Sequence, residues 1–368
     1  MAKLKEVCTF YSGTGFPTKY QGNDEGEYAF YKVSDIANNV QLGNTYLSVC
    51  NNYISGEIAK EIKGCILPKD TVVFAKIGEA VKLNRRAITS ADCLIDNNAM
   101  GLAPIQDKLR LDYFFYYMRN LKMEKLAEST TVPSVRKSLL EELEIKVPSL
   151  EEQKEIGEIL DKVSVVIQTR KQEIEQLDLL IKARFVEMFG DPITNSKLLP
   201  IEKIEERYFL KAGITTKAED IHDYLKDKYE IPCYGGNGIR GYVENLSYEG
   251  CYPIIGRQGA LCGNVQYATG KFHATEHAVL VSTLKNDNTM WVYYMLKLMD
   301  LYRYHTGAAQ PGLAVKKLNT IDVIVADINL QNQFAAFVHQ INKSKFEVQK
   351  SLEKTQLLYD SLMQEYFG

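Results

Sequence analysis

A long amphipathic segment that occurs twice constrains the fold of this chain more than any other feature. The first copy runs from Pro148 to Gly190 and the second from Asn329 to Gly368. In the first copy, apolar residues recur at alternating spacings of three and four, which is typical of a coiled-coil seam that only Arg170 interrupts. The seam consists of Leu160, Val163, Ile167, Ile174, Leu177 and Ile181.

Both ends of the first segment carry helix-terminating signals. Ser149 followed by Glu152 is a capping box, and Gly190 before Asp191-Pro192 is a stop signal. At 1.5 Å per residue, each helix would span about 50 Å. Since so long a seam needs a helical partner, we expect the two helices to pair antiparallel with a globular unit at each end. The alternative is that each helix lies on its own domain.

The order of elements before each helix also repeats. The loop Thr131-Val132-Pro133-Ser134 precedes a strand-like stretch, Leu143–Val147, and Ala309-Gln310-Pro311-Gly312 precedes Ile321–Val325. The offset is 178 residues at Pro133/Pro311. It becomes 180 when Gln153 is matched to Gln333, which predicts two extra residues before the second helix and a shorter second helix.

The remaining sequence predicts two mixed α/β units, and the fold class is therefore α+β with a pseudo-two-fold repeat. Short β-like runs include Tyr28–Val33 and Thr71–Ala75, and Leu111–Lys125 is typical of a helix. The predicted domains are a first α/β unit, a central long helix, a second α/β unit and a C-terminal long helix. Their bounds are 1–147, 148–190, 191–328 and 329–368.

Composition limits the partners. The formal net charge is −3, so nucleic-acid contact would have to come from local basic patches. The seven cysteines show no CxxC spacing, and there is neither a signal peptide nor a membrane-spanning apolar run. We therefore expect a cytoplasmic protein with reduced thiols and no membrane contact.

No catalytic constellation is predicted. The chain lacks the G-x-x-x-x-G-K-[ST] phosphate loop, and its glycine runs do not form a dinucleotide fingerprint. His273, Glu276 and His277 match the H-x-x-E-H pattern of inverted zinc proteases, which needs a helix. Because a strand-like run follows, both histidines would lie about 13 Å apart, too far for one metal. A zinc-dependent hydrolase is kept as an alternative, and no metal or cofactor is expected in this chain.

Two stretches combine basic, amide and aromatic side chains with glycine turns, one in each predicted unit. Arg, Lys, Gln and Asn bind base edges or phosphates, and glycine lets a backbone approach a duplex closely. A solvated basic face would have the same composition. The candidate DNA contacts are Lys76, Lys82, Asn84, Arg85, Arg86, Arg240, Tyr242, Arg257, Gln258, Lys271 and His273.

The order of these motifs, duplicated with the long helices, resembles the specificity (S) subunits of type I restriction–modification systems across the whole chain. The motifs in the first half are Ser12–Pro17, Phe30–Asp35, Ile66–Asp70, Ile95–Asn98, Thr131–Val135, Ile145–Pro148 and Glu151–Gln153. Those in the second half are Tyr234–Gly238, Gly256–Ala260, Ala274–His277 and Gln310–Gly312.

The resemblance implies two target-recognition domains that read a split double-stranded DNA target. It also implies docking of two methyltransferase (M) subunits and of motor–nuclease (R) subunits. The chain itself would be non-catalytic and would direct adenine-N6 methylation and ATP-dependent restriction. S-adenosylmethionine, ATP and Mg would be bound by the partner subunits. The polar helix face offers candidate docking residues, namely Lys154, Glu158, Lys162, Gln172 and Glu175.

Two further expectations follow from the repeat. The variable parts of the halves differ, so an asymmetric DNA target is predicted, and helix length is expected to act as a ruler for the spacing of half-sites. The competing hypothesis is a coiled-coil scaffold that recruits proteins without sequence-specific DNA binding.

Overall fold

The computed structural model describes residues 1–127, 132–225, 229–307 and 311–368. These divide into two compact units, Met1–Thr169 with Leu352–Gly368, and Arg170–Ser351. Among the described helices, none has the length and apolar character required to span a membrane.

The first unit is built on a five-stranded sheet. Its strands are β1 (Ala2–Lys3), β2 (Cys8–Ser12), β3 (Tyr28–Tyr31), β4 (Tyr46–Leu47), β5 (Tyr53–Ile54), β6 (Val72–Ala75), β7 (Arg86–Thr89), β8 (Cys93–Ile95), β9 (Ala99–Pro104) and β10 (Glu144–Ile145). Its helices are α1 (Leu4–Val7), α2 (Val33–Gln41), α3 (Gly56–Glu61), α4 (Leu111–Asn120), α5 (Met123–Leu126), α6 (Lys137–Glu141), the first part of α7 (Leu150–Phe189) and the last part of the second long helix, from Leu352 onward, with 3₁₀ turns at Thr18–Tyr20 and Glu79–Val81. The main sheet has the order β2-β9-β6-β7-β4, a smaller one has the order β5-β3-β8, and β1 pairs with β10.

The second unit is built on a six-stranded sheet. Its strands are β11 (Ile201–Lys203), β12 (Tyr208–Ala212), β13 (Ile231–Gly235), β14 (Gly238–Val243), β15 (Tyr248–Gly256), β16 (Val265–Ala274), β17 (Ala278–Thr283) and β18 (Asp322–Ile324). Its helices are α8 (Ile204–Arg207), α9 (Thr289–Leu298), α10 (Val315–Asn319), the rest of α7 and part of α11 (Ile328–Phe367), with 3₁₀ turns at Ala218–Asp220 and Leu301–Tyr304. The sheet order is β12-β17-β15-β16-β13-β14, and β11 pairs with β18.

The two units share one framework. Ala2 pairs with Ile145 in the first unit, and Glu202 pairs with Val323 in the second, so β1/β10 and β11/β18 have the same register. In sheet order, β2-β9-β6-β7 matches β12-β17-β15-β16. The predicted α+β class with two long helices and a repeated order of elements is thus confirmed.

The first long helix begins and ends as its capping signals predict. The Ser149 backbone N–H donates to Glu152 Oε2 over 2.9 Å, and the Glu152 N–H donates to Ser149 Oγ over 3.3 Å. At the other end, Gly190 has φ +79° and its N–H still donates to the Val186 carbonyl. A left-handed residue at this position is a common way to terminate a helix, and glycine adopts it without strain.

The predicted length difference between the two helices is wrong. Both have 40 residues and their first and last residues keep the 178 offset. The equivalent of Gln153 is therefore Gln331, not Gln333. Both glutamines are fully buried, and both accept a hydrogen bond from the backbone N–H that precedes a helix, of Arg110 and Asn288 respectively.

The helices run antiparallel within the second unit. Along α7, Phe185 contacts the Phe334 ring, Asp178 accepts from Lys345 Nζ over 2.6 Å, and Arg170 donates to the Ser351 carbonyl over 2.8 Å. Partner numbers rise as the α7 numbers fall, which only an antiparallel pair produces. Arg170, which interrupts the apolar seam, thus still contacts the partner helix through a hydrogen bond. In the first unit, Leu160 and Ile167 are buried with Tyr359 and Met363.

Helices α4 and α9 occupy equivalent places in the two cores. Tyr113 and Phe114 of α4 are buried with Phe74 of the five-stranded sheet. Trp291 of α9 lies among Phe185 and Phe189 of the long helix and the sheet residues Ile255 and Val279. The sheet is therefore fixed to the long helix through one aromatic layer in each unit.

Several predicted boundaries are corrected. The helix predicted over Leu111–Lys125 is interrupted between Asn120 and Met123, because Leu121 is extended and Asn84 Oδ1 accepts the Met123 N–H. The strands predicted over 143–147, 321–325, 28–33 and 71–75 are each shorter. Thr131, Ala309 and Gln310 of the predicted loops lie outside the described residues. The four-part domain division stays a prediction, and the two compact units divide the long helices near their middles.

Candidate nucleic-acid interface

Two equivalent loops present candidate DNA contacts at one end of each main sheet. The first follows β6 and begins with Lys76, and the second follows β15 and begins with Arg257. The Lys76 N–H donates to the Asn98 carbonyl, and the Arg257 N–H donates to the His277 carbonyl. The carbonyls of Lys76 and Arg257 accept from Val135 and Leu313. The same backbone bonds therefore hold both cations.

Each loop then reaches a glycine in the left-handed region. Gly78 has φ +84° and Gly259 has φ +81°, a conformation that glycine adopts without strain. Their N–H groups donate to the carbonyls of Pro133 and Pro311, at 2.8 and 2.9 Å. A Cβ added at either glycine would meet no atom within 4 Å. Both turns are thus fixed from inside and open outside.

The side chains presented by these loops are accessible. Lys76, Ile77 and Arg257 are half-buried, and Gln258 is exposed. Within the described parts of the chain, the Lys76 ammonium, the Arg257 guanidinium and the Gln258 amide have no hydrogen-bond or ion-pair partner. Two cations at equivalent positions are therefore available to an external anion.

Asn84 and Arg86 instead form part of the protein interior. Arg86 is 5% exposed, its guanidinium lies 5.0 Å from the Phe74 ring centroid, and it donates to Asn84 Oδ1 over 2.8 Å. Burial lowers the pKa of Arg86 to about 9. Asn84 also donates to the Arg119 carbonyl. The structure does not bring Arg86 to the surface, which corrects the predicted DNA contact at this residue. The half-buried Asn84 amide joins β7 to the end of α4, and its contact with DNA stays a prediction.

The other basic residues of the first loop remain accessible. Lys82 is exposed and forms a 2.8 Å ion pair with Glu79, and Arg85 is half-buried. Surface pairs of this kind contribute little to stability, so the Glu79 pair does not prevent Lys82 from binding another anion.

In the second unit, the predicted contacts outside the Arg257 loop lie on two strands, β14 and β16. Arg240 and Tyr242 belong to the edge strand β14, and Lys271 belongs to β16, opposite Glu249 of β15. Arg240 and Lys271 are exposed and Tyr242 is half-buried. DNA contact by these residues stays a prediction.

His273 is a structural residue. It is 6% exposed, its Nε2 lies 2.8 Å from Thr216 Oγ1, and its Nδ1 is hydrogen-bonded to Ser247 Oγ. Since the Thr216 hydroxyl donates to the Ile214 carbonyl, it accepts from Nε2–H, and Nδ1 accepts from Ser247. Burial lowers the pKa of His273. The structure corrects the predicted DNA contact at His273, because the ring is enclosed in this conformation.

The zinc-protease pattern does not form a helix. His273 lies near the end of strand β16, whereas Glu276 and His277 lie in the turn before β17. His277 Nε2 is 3.2 Å from Glu276 Oε1. Across the described residues, no three His, Cys, Asp or Glu side chains are close enough to hold a metal ion. The geometry gives no support to a zinc hydrolase.

The predicted docking residues lie on the outer surface of α7. Lys154, Glu158, Lys162, Gln172 and Glu175 are all exposed. Lys154 forms a 3.4 Å ion pair with Glu151 of the same helix. Their contact with partner subunits stays a prediction.

Sequence reasoning missed an aromatic face on the second sheet. Tyr234, Tyr248 and Tyr252 are half-buried around the enclosed Phe272 ring, at centroid distances of 5.6, 5.7 and 5.9 Å. Lys211 Nζ lies 5.9 Å from the Tyr248 centroid. The available signal was the alternation of Tyr248 and Tyr252 along one strand, which places both side chains on one face.

Both halves of the chain match one known protein family. The family model described as "Type I restriction modification DNA specificity domain" matches residues 1–179 and 210–357, which include both cation–glycine loops. The chain belongs to this family. Its resemblance to type I specificity subunits is thereby confirmed.

Curated relatives cover nearly the whole chain. The type I restriction enzyme EcoprrI specificity subunit of Escherichia coli is 30% identical over 358 residues, which cover 92% of this chain and 86% of that protein. The type I restriction enzyme MjaIX specificity subunit of Methanocaldococcus jannaschii is 20% identical over 399 residues, which cover 98% of this chain and 90% of that protein.

Solved structures show the same fold. The type I restriction–modification S subunit from M. genitalium has a TM-score of 0.62 at 18% identity, with coverage of 100% of this chain and 95% of that one. A chain from a study of complex assembly and conformational transition of the type I R-M system has a TM-score of 0.54 at 14% identity, with coverage of 100% and 96%. At such identities the likeness concerns the fold alone.

Proposed function

We propose that this specificity-family chain reads a split, asymmetric DNA target. On this proposal it directs adenine-N6 methylation by two M subunits, and ATP-dependent restriction when R subunits join. The chain contributes no catalytic group. S-adenosylmethionine, ATP and Mg are bound by the partners, and the complex acts in the cytoplasm.

The observation that carries this proposal is the point at which the shared framework diverges. The N–H of Asp96 donates to the Tyr31 carbonyl, and the N–H of Thr275 donates to the Tyr234 carbonyl, so Tyr31 and Tyr234 are equivalent. After Tyr31 the chain enters helix α2, which begins at Val33. After Tyr234 it instead makes a turn into strand β14. Equal frameworks with different inserted segments suit two readers of unlike sequences.

The exposed polar face of α7 supports a docking role for the long helices. Its charged and amide side chains extend along the helix from Lys154 to Glu175, while the opposite face is buried against α11 or the α4 and α9 layers. Two repeats of one helical framework provide two similar surfaces, which suits two copies of one M subunit.

Co-expression of the chain with its cognate M subunits, followed by mapping of methylated adenines, tests the proposal. We expect one motif with two unlike half-sites and a fixed spacer. A scaffold without DNA specificity would give no sequence motif, and its complex would show no preference between duplexes with and without the target. Either result would overturn the proposal.

A further inference from the structure

We propose that residues 76–78 and 257–259 are equivalent reading elements, in which the leading cation contacts a DNA phosphate and the next side chain contacts a base edge. Lys76 and Arg257 are the phosphate contacts, and Ile77 and Gln258 are the base-reading residues. This inference rests on the proposed function and deepens it by naming specificity-determining positions.

The first argument is positional. Each tripeptide follows a central strand, and hydrogen bonds on both sides fix its backbone: the leading N–H bonds to the β8–β9 or β16–β17 turn, and the last N–H bonds to a proline carbonyl. Isolated bridges pair Ile77 with Ser134 and Gln258 with Gly312. Two side chains held by the same bonds on the same framework take the same place in their units.

The second argument compares what is shared with what differs. The DNA backbone has the same chemistry at both half-sites, and phosphate contacts position a protein without reading sequence. The leading residue is a cation in both units, as a phosphate contact requires. The next residue is apolar in one unit and an amide in the other, as expected of readers of different bases.

The third argument concerns access. Lys76 and Arg257 lack ion-pair partners among the described residues, in contrast to Lys82, whose ammonium is paired with Glu79. The open space beyond Gly78 and Gly259 leaves room for a nucleic-acid backbone beside each cation. A substituent on either glycine would occupy that room.

The chemistry of the variable position gives the base classes. A glutamine amide binds adenine through N6 and N7 in the major groove, and an apolar side chain packs on the thymine methyl group. We therefore assign an adenine contact to Gln258 and a thymine-methyl contact to Ile77.

The cations are tested by the salt dependence of binding to a duplex that carries the motif mapped for the wild-type complex. Log affinity falls as log salt rises. We expect Lys76→Ala and Arg257→Ala each to make this slope less steep by about 0.9 without changing the motif. Lys76→Arg and Arg257→Lys keep the charge and should keep the slope. A slope unchanged by either alanine variant overturns the phosphate role.

Matched controls lie at the other end of each sheet. Register pairs Ala75 with Ala99 and Gly256 with Ala278, so residues beyond the far ends of β9 and β17 are remote from the loops. Lys108, which donates to the Glu6 carbonyl, and Lys285, which pairs with Glu202, occupy those ends. Lys108→Ala and Lys285→Ala should leave the slope and the motif unchanged. A loss of slope equal to that of the loop variants would contradict a localised contact.

The base-reading positions are tested by reciprocal exchange. In complexes with M subunits, Ile77→Gln and Gln258→Ile should each change the methylated motif at one position, in one half-site only, and the two changes should fall in different half-sites. An unchanged motif, or changes in both half-sites from one substitution, would overturn the inference. A wild-type complex that methylates no motif would instead refute the proposed function.

Discussion

At the residue scale, one equivalent pair of buried positions is apolar in the first unit and charged in the second. Val7 ends α1 and Leu109 precedes the cap of α4, and both are buried in one apolar cluster. The equivalent residues of the second unit are Arg207 and Asp287, whose side chains form a bidentate pair at 2.5 and 2.6 Å. Gln331 also donates to Asp287 over 2.8 Å. A buried ion pair has thus replaced an apolar contact on one framework.

This exchange predicts an asymmetric stability result. Asp287→Leu alone removes the bidentate partner of the buried Arg207 guanidinium and leaves only its 3.4 Å contact with Glu202, and should lower the free energy of unfolding by about 3–5 kcal/mol. The double variant Arg207→Val/Asp287→Leu reproduces the first unit and should lie within about 2 kcal/mol of wild type. Chemical denaturation of the full chain measures both. A double variant as unstable as Asp287→Leu would show that the apolar pair of the first unit cannot replace the ion pair in the second.

At two predicted DNA contacts, a basic side chain coincides with a glycine turn signal, and DNA contact at both stays a prediction. Lys76 and Arg257 precede a glycine, and both proved to be accessible cations on equivalent loops. Arg86 and His273 have equally suitable side chains, yet one packs on Phe74 and the other bonds Thr216 and Ser247. Residue type does not specify which face of a strand is enclosed when polar side chains occupy both faces.

At the element scale, a buried glutamine anchors each long helix to its unit. Gln153 accepts from the Arg110 N–H and donates to the carbonyls of Lys108 and Pro148. Gln331 accepts from the Asn288 N–H and donates to the Ala326 carbonyl as well as to Asp287. Each amide therefore satisfies backbone groups at the starts of two helices at once.

Replacing this amide should destabilise the chain markedly. Gln153→Leu leaves part-buried backbone groups of Arg110, Lys108 and Pro148 without the partner that the glutamine amide provides, and an unsatisfied polar group inside a protein costs about 1–3 kcal/mol. We expect the free energy of unfolding to fall by at least about 2 kcal/mol. Gln176→Leu, on the exposed face of the same helix, should change it by less than about 0.5 kcal/mol. Equal effects of the two substitutions in denaturation would contradict the anchoring role.

Long elements were predictable from sequence and short ones were not. The seam and capping box determine α7 to within two residues of the predicted ends, because many positions contribute to one periodic pattern. The predicted strand at 143–147 retains only Glu144–Ile145, since its pairing with the two-residue β1 limits its length. The matching of Gln153 to Gln333 failed because two glutamines lie two residues apart, and only burial distinguishes Gln331.

At the scale of the whole molecule, one framework occurs twice and carries different inserted segments. Both long helices contribute to both compact units, α7 on either side of Thr169 and α11 on either side of Ser351. The proposed function gives these helices a mechanical role in addition to docking, since their length would set the spacing of half-sites.

Lengthening the helices tests this ruler. Seven residues inserted after Thr169, with seven more after Ser351, keep the heptad seam and add about 10 Å of helix. At about 3.4 Å per base pair, the spacer in the methylated motif should lengthen by about three base pairs, while the bases of both half-sites stay the same. Mapping of methylated adenines measures both. Altered half-site bases with an unaltered spacer would refute the ruler.

The most direct test of the central claim is methylation mapping of the wild-type chain co-expressed with its cognate M subunits. The two shared frameworks with unlike inserts predict a single split motif, with two different half-sites and a fixed spacer. An inverted repeat, in which both half-sites have the same sequence, or the absence of any motif would contradict it.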